Sequence, residues 1–279
     1  MYKTIVVHVD GSQQQPSRLR AAARLAREHG AHLVGSAATG ISWLDLALLT
    51  GSVAAPEPTA DFKALRDAAA LRLREFTEQA AALGVASVEG RLVEDAADNA
   101  LLLQSRYTDL VVLSRDADTG ANVPARARRL PEYVALRGPR PVLVIPPDYG
   151  DAPLAGTVVA GWDGSTQALR ALVAALPLLE RADGVTLALI NPDQLSELHG
   201  EQPGADMALY LARHGVKVEV VVERTHATAG AALMALGRDR GAGMVVTGAY
   251  GHSRYREWVL GGVTRELLER TPLPLLIAH

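Results

Sequence analysis

One motif is written twice in this chain, and that repeat limits the fold more than any other feature. Thr4 to Ser12 reads TIVVHVDGS, and Thr157 to Ser165 reads TVVAGWDGS. Each is an apolar, β-branched run closed by Asp-Gly-Ser, and Asp10 and Asp163 lie 153 positions apart. The copies also end alike. PRPVLVIPP, Pro139 to Pro147, answers PLPLLIAH, Pro272 to His279, at an offset of 133. Matching anchors at both ends identify a duplicated unit, which has to be settled before any fold is drawn. The offsets differ by 20, so the first copy carries extra residues, most of them around Gly40 to Thr59.

Within each copy, strand-like and helix-like patterns alternate. In the second copy, Thr157 to Trp162 is a short continuous apolar run, as for a strand buried on both faces. Asp163 or Ser165 can cap the helix that follows, along which Leu169, Leu172, Val173 and Leu176 recur at helical spacing. Pro177 is expected to kink that helix or mark its last turn. Further strands are expected at Val185 to Ile190, Val216 to Val222, Gly243 to Thr247 and Leu273 to Ala278. Helices are expected near Ala205 to His214, Ala229 to Arg238 and Gly262 to Glu269. The first copy has strands at Lys3 to Val9, His32 to Ala37, Ser87 to Val93, Leu110 to Ser114 and Val142 to Ile145. Its second helix is long, with an apolar stripe of Phe62, Leu65, Ala69, Leu73, Phe76, Ala80 and Leu83. Alternation of this kind builds a mostly parallel sheet with helices on both faces and right-handed crossovers. The chain is therefore read as α/β, with two doubly wound domains of five strands each. Residues 1–147 form one and 157–279 the other, joined by a Pro-, Gly- and Asp-containing linker at 148–156.

Composition narrows the function classes. The 279 residues suit two domains. Only 4% are aromatic, so Ala, Val and Leu must fill the cores. A formal net charge of -3 argues against nucleic-acid binding, which needs a basic face. With no cysteine, disulfides, thiolate catalysis and sulfur-bound metals are excluded. The opening MYKTIVVHVDG does not have the form of a signal peptide. The most membrane-like stretch, Ile41 to Ala55, is too short to span a bilayer and contains Asp45. A cytoplasmic, non-membrane protein is expected.

In doubly wound sheets, ligands bind beyond the carboxyl ends of the strands, where the strand order reverses. That rule singles out Asp163, Asn191 and the loop after the fourth strand of the second copy, TGAYGHSRYREWVLGGVTREL. In that loop Gly248 is followed by two residues and Gly251, then by nine residues and Gly261, Gly262, Val263 and Thr264. The first glycine follows the apolar run MVVT, and the last two open an amphipathic helix. Unpaired amides at a helix start, fenced by residues without Cβ atoms, form a phosphate site.

These residues resemble the universal stress protein family over both copies. Its marks are Gly-x2-Gly-x9-Gly followed by Ser, Thr or Asn, and an Asp closing the first strand. The resemblance implies a Rossmann-like fold of the adenine nucleotide alpha hydrolase kind, and a site for ATP or AMP, with Mg2+ as a companion ion. Carried over residue by residue, Asp163 would meet the ribose or adenine, and the backbone of Gly161 and Trp162 would border the base. Ile190 would line the base pocket, and Gly248 and Gly251 would sit by the ribose and phosphates. Gly261, Gly262, Val263 and Thr264 would hold phosphate. Gly262 departs from the pattern by lacking the hydroxyl, which weakens the grip and favours a nucleotide with fewer phosphates. The first copy departs further. Arg128, Arg129 and Pro131 replace the final glycines and Thr264, so the nucleotide site is expected in the second copy alone. By the same resemblance, Pro139 to Ile145 and Pro272 to Ala278 pair within the chain as a pseudo-dimer, leaving other faces for a homodimer.

Plainer readings stand beside these. Asp163 serves equally as a helix cap, Trp162 and Ile190 as core, and the Gly248–Gly251 pair as a turn. His252, Arg254 and Arg256 read as a solvated loop, and the eight histidines show no metal spacing. No Gly-x4-Gly-Lys-Ser/Thr loop, nucleophile elbow or His-x-Gly-His occurs, and the second copy has one lysine, Lys217. No catalytic residue is therefore assigned, and a stress-related sensor or regulator is expected rather than an enzyme. The alternatives are a nucleotide-independent module for protein partners, or a binder of another small molecule under the Gly40 to Thr59 loop. That loop carries Ile41, Trp43, Leu44, Leu46, Leu48 and Leu49, read either as a short packed helix or as a partner surface.

Overall fold

The computed structural model describes residues 1–51, 59–115, 129–194, 202–249 and 262–279. Its contacts divide the chain into two compact units. The amino-terminal unit holds Tyr2–Val134 and Gly138–Arg140; the carboxy-terminal unit holds Pro141–His279 with Met1 and Ala135–Arg137.

In the amino-terminal unit, β1 (Thr4–His8), β2 (His32–Ala38), β3 (Val88–Val93) and β4 (Leu110–Ser114) lie in the order β3-β2-β1-β4, all parallel. Ile5, Val6 and Val7 of β1 and Leu110, Val111 and Val112 of β4 have no exposed surface. This is the two-sided burial that their unbroken apolar runs predict. Helix α1 (Gln15–His29) has a proline in its first turn and ends at Gly30, whose left-handed φ of 59° lets its amide reach the carbonyls of Ala26 and Arg27. Helix α3 (Ala60–Ala82) is capped by the Thr59 hydroxyl and buries Phe62, Ala69, Leu73, Phe76 and Ala80. Leu65 of the expected stripe is exposed, and Leu83 caps the helix instead of belonging to it. Helix α4 (Ala97–Ser105) precedes β4, and α5 (Leu130–Arg137) opens with a proline.

The apolar insert does contain a helix, α2 (Trp43–Thr50), capped by the Ser42 hydroxyl. The Trp43 ring packs against Phe62 at 5.9 Å between centroids. Only Ala47 of this helix is buried; Leu44, Leu48 and Leu49 are 60%, 60% and 77% exposed.

The carboxy-terminal unit orders β5 (Val142–Ile145), β10 (Leu275–Ala278), β9 (Met244–Gly248), β6 (Thr157–Gly161), β7 (Gly184–Ile190) and β8 (Val218–Glu223) side by side. All the pairings described from β10 to β8 are parallel, while β5 runs antiparallel to β10 with Val144 opposite Leu275. The expected pairing of the two final strands is thus present. Helix α6 (Thr166–Leu179) contains Pro177 in its last turn, two residues before the helix stops. Helices α7 (Ala205–Arg213), α8 (Ala229–Asp239) and α9 (Gly262–Arg270) complete the unit, each within a residue or two of its expected span. No helix among the described residues is long and apolar enough to cross a membrane.

Candidate functional site

In the carboxy-terminal unit the chain leaves β6 for β7 and β8 on one side and for β9 and β10 on the other. That reversal opens a crevice beyond the carboxyl ends of β6 and β9. Gly161 closes β6 and Gly248 closes β9, so both stand at this edge. The Trp162 amide donates to the Ala188 carbonyl at 2.9 Å, which continues the ladder to β7 one residue past the strand. Trp162 is half-buried.

The turn after β6 shows which residue caps the next helix. The Ser165 hydroxyl accepts from the Ala168 amide at 3.1 Å, so Ser165 is the cap of α6. Asp163 is not that cap; its Oδ1 accepts the Ser165 amide at 2.9 Å and braces the turn. Gly164 sits at φ 77°, a conformation side chains resist.

Gly248 has a structural reason of its own. A Cβ added there would lie 2.5 Å from the Ala168 nitrogen, so the first turn of α6 rests directly on the end of β9. Ile190 is half-buried at the end of β7. The next residue, Asn191, has a left-handed φ of 48°. Its side-chain amide donates to the Thr225 carbonyl at 2.9 Å and accepts the Thr225 amide at 2.9 Å, tying the loop after β7 to the loop after β8.

Helix α9 begins at Gly262, where an added Cβ would meet nothing within 4 Å, and Val263 is 36% exposed. Its start is open to solvent, while Thr264 is buried at 3%. Gly251 and Gly261 lie outside the described residues, as do Arg128, His252, Arg254 and Arg256. One turn on, Glu266 accepts the Thr228 hydroxyl at 2.6 Å. Thr228 also caps α8, so this bond fixes α9 against α8 and sets where its amino end points. Sequence reasoning missed Glu266, whose signal is only an acidic residue in a polar helix. Among the described residues there is no group of three metal-ligating side chains.

The corresponding edge of the amino-terminal unit is filled differently. Asp10 Oδ1 bonds the Arg18 guanidinium at 2.6 Å and the Ser12 amide at 3.0 Å. The His8 ring nitrogen Nδ1 lies 3.5 Å from Asp10 Oδ2. Gln15 Oε1 accepts both the Asp10 amide, at 3.0 Å, and the Gly11 amide, at 2.7 Å. Burial opposes ionisation of Asp10, but Arg18, His8 and the Ser12 bonds outweigh it and hold the carboxyl down at about 2. Burial drives His8 down to about 4, with Asp10 opposing and Arg18 and Arg72 reinforcing. The ring is therefore neutral near pH 7, and its contact with Asp10 is dipolar rather than an ion pair.

The pattern of the universal stress protein family matches twice, at residues 1–146 and 155–279. Universal stress protein Slr1230 of Synechocystis is 26% identical over 176 residues, spanning 60% of this chain and 57% of that protein's length. The crystal structure of a universal stress protein from Archaeoglobus fulgidus superposes with a TM-score of 0.67 at 16% identity, covering 99% of this chain and 97% of the other. A universal stress protein crystallised with cAMP is 26% identical, with a TM-score of 0.40, over 52% of this chain and 97% of its own.

Proposed function

The chain belongs to the universal stress protein family with the family domain present twice, and from that premise we propose that the carboxy-terminal copy binds an adenine nucleotide as a stress-related sensor or regulator. One observation carries the proposal. The turn Gly161–Asp163, the end of β9 at Gly248 and the open start of α9 at Gly262 belong to one mostly parallel unit whose strand order reverses at β6. The base would lie against the backbone of Gly161 and Trp162 and beside Ile190, with the ribose or adenine edge at Asp163. The phosphates would meet the amides of Gly262 and Val263, aligned with the positive end of α9. Gly251 and Gly261 would complete that cradle.

Gly262 supplies an amide and no hydroxyl, and Thr264 is turned into the protein. The grip on phosphate therefore rests on the backbone, which favours AMP over ATP. Mg2+, where present, would be held by the phosphates. The ligand contributes binding energy and a negative charge; the chain orients it. Nothing in the carboxy-terminal sequence supplies the clamp-and-base set that phosphoryl transfer needs, so the role is binding rather than catalysis. Occupancy acts through differential affinity for two states of the protein.

Heating the full chain with and without millimolar AMP or ATP tests the reading, together with mass spectrometry of whatever copurifies. A raised melting temperature or a copurified adenine nucleotide is expected. An unmoved transition and an empty spectrum would overturn it. A second reading, docking of a protein partner independent of nucleotide, is favoured by the exposure of Leu44, Leu48 and Leu49 on α2. It predicts capture of a partner that is lost with those leucines and indifferent to Asp163.

A further inference from the structure

Asp10 and Asp163 close the first strands of the two copies, but their surroundings differ at four matching positions. Two residues before the aspartate stand His8 and Gly161; five after it, Gln15 and Ala168; eight after it, Arg18 and Ala171. The last residues of β4 and β9 are Ser114 and Gly248. At each place the amino-terminal copy has the larger or more polar side chain.

The contacts show what these side chains do. Gln15 Oε1 takes the two amides of the Asp10–Gly11 turn. No bond to the Gly164 amide is found among the described residues, because the matching side chain is the methyl group of Ala168. Arg18 takes the carboxylate of Asp10 and is itself only 2% exposed. The Arg72 side chain closes on Gly11, with Cδ 3.2 Å from where a Cβ would be. Helix α6 rests on Gly248 so tightly that a Cβ would not fit, whereas β4 ends in a serine whose buried hydroxyl has no hydrogen-bond partner among the described residues. The first crevice is thus supplied from within with the donors and acceptors that a bound nucleoside would otherwise satisfy.

We infer that Gln15 and Arg18, with His8 beside them, are an internal occupant of the amino-terminal crevice, and that they determine which copy admits a nucleoside. The inference rests on the preceding reading for the class of ligand. It goes beyond it in assigning selectivity between the copies to three named side chains, not to the phosphate loop alone.

The test uses the full chain and radiolabelled adenosine, which needs no phosphate cradle. Wild type is compared by equilibrium dialysis with a His8→Gly, Gln15→Ala, Arg18→Ala variant, in which each residue becomes the one at the matching place in the other copy. Wild type should hold one equivalent and the folded variant two. A folded variant that stays at the wild-type count overturns the inference. A second measurement needs no variant. Carbodiimide labelling of wild type, read by mass spectrometry, should modify Asp10 at least about tenfold more slowly in the folded chain than in the urea-unfolded chain, because a carboxylate held by Arg18 resists the protonation that the reagent requires. Equal rates overturn the inference even where the variant fails to fold. If wild type holds no adenosine, the nucleotide reading fails by itself, and the labelling contrast still decides whether the first crevice is filled.

Discussion

Gly248 and Ala168 are in backbone contact: a Cβ on the glycine would sit 2.5 Å from the alanine nitrogen. No rotamer relieves that clash, since both partners are main chain, and α6 would have to move off β9. Gly248→Ala is expected to cost about 2–3 kcal/mol, seen as a fall of several degrees in calorimetric melting temperature. Gly262→Ala, with nothing within 4 Å, should leave the melting temperature unchanged. Equal effects at the two positions would refute the packing argument.

The open start of α9 gives the reverse kind of prediction. Gly262→Ser adds a hydroxyl where the phosphate is expected. One further hydrogen bond to a charged group is worth about 1.5 kcal/mol, so AMP should bind about tenfold more tightly by calorimetric titration. Unchanged affinity would place the phosphate elsewhere.

The two aspartates should separate stability from binding. Asp10→Ala strands the Arg18 guanidinium, 2% exposed, without its carboxylate, and is expected to cost about 3–5 kcal/mol in denaturant unfolding. Asp163→Ala removes the bond to the Ser165 amide while Ser165 still caps α6, and it is expected to cost less than Asp10→Ala. The loss there should be in AMP affinity. A destabilised Asp163→Ala protein with intact binding would reverse the assignment.

Acid should loosen the amino-terminal unit in two stages. The unfolded chain protonates His8 near 6.5, the folded chain only near 4, so stability is complete above 6.5 and declines as pH falls through that window. The loss amounts to about 3 kcal/mol. Asp10 carries it further, because its carboxyl, normally 3.8, is held at about 2 in the fold. His8→Gln should flatten the dependence of melting temperature on pH between 4 and 6.5. An unaltered slope would mean that other groups set it.

Much of this is legible in the sequence. β1 and β6 were readable because a strand buried on both faces leaves an unbroken apolar run, and helix ends because Gly30, Ser165 and Pro177 act locally. What was not legible is how unlike two identical Asp-Gly-Ser triplets become once folded. Ser165 took the capping role that Asp163 could equally have filled, a choice made by turn geometry and not by residue type. The fate of Asp10 depends on Arg18, a cation at a buried position of α1 beside Leu19, Ala22 and Leu25. A charge on an apolar face is a readable anomaly, and aligning it with Ala171 would have exposed it. Leu65 is exposed despite its spacing, because periodicity reports a helix but not the width of the surface that covers it.

The antiparallel seam between Val142–Ile145 and Leu275–Ala278 has a consequence for anyone dissecting the chain. A fragment cut to begin at residue 155, where the second family match starts, would leave the last strand with a row of unsatisfied peptide groups along one border. Such borders recruit whatever extended segment is at hand, most readily a twin of themselves. Severed halves should therefore associate with each other or with their own kind, and a stoichiometry measured on them would describe the cut rather than the intact molecule.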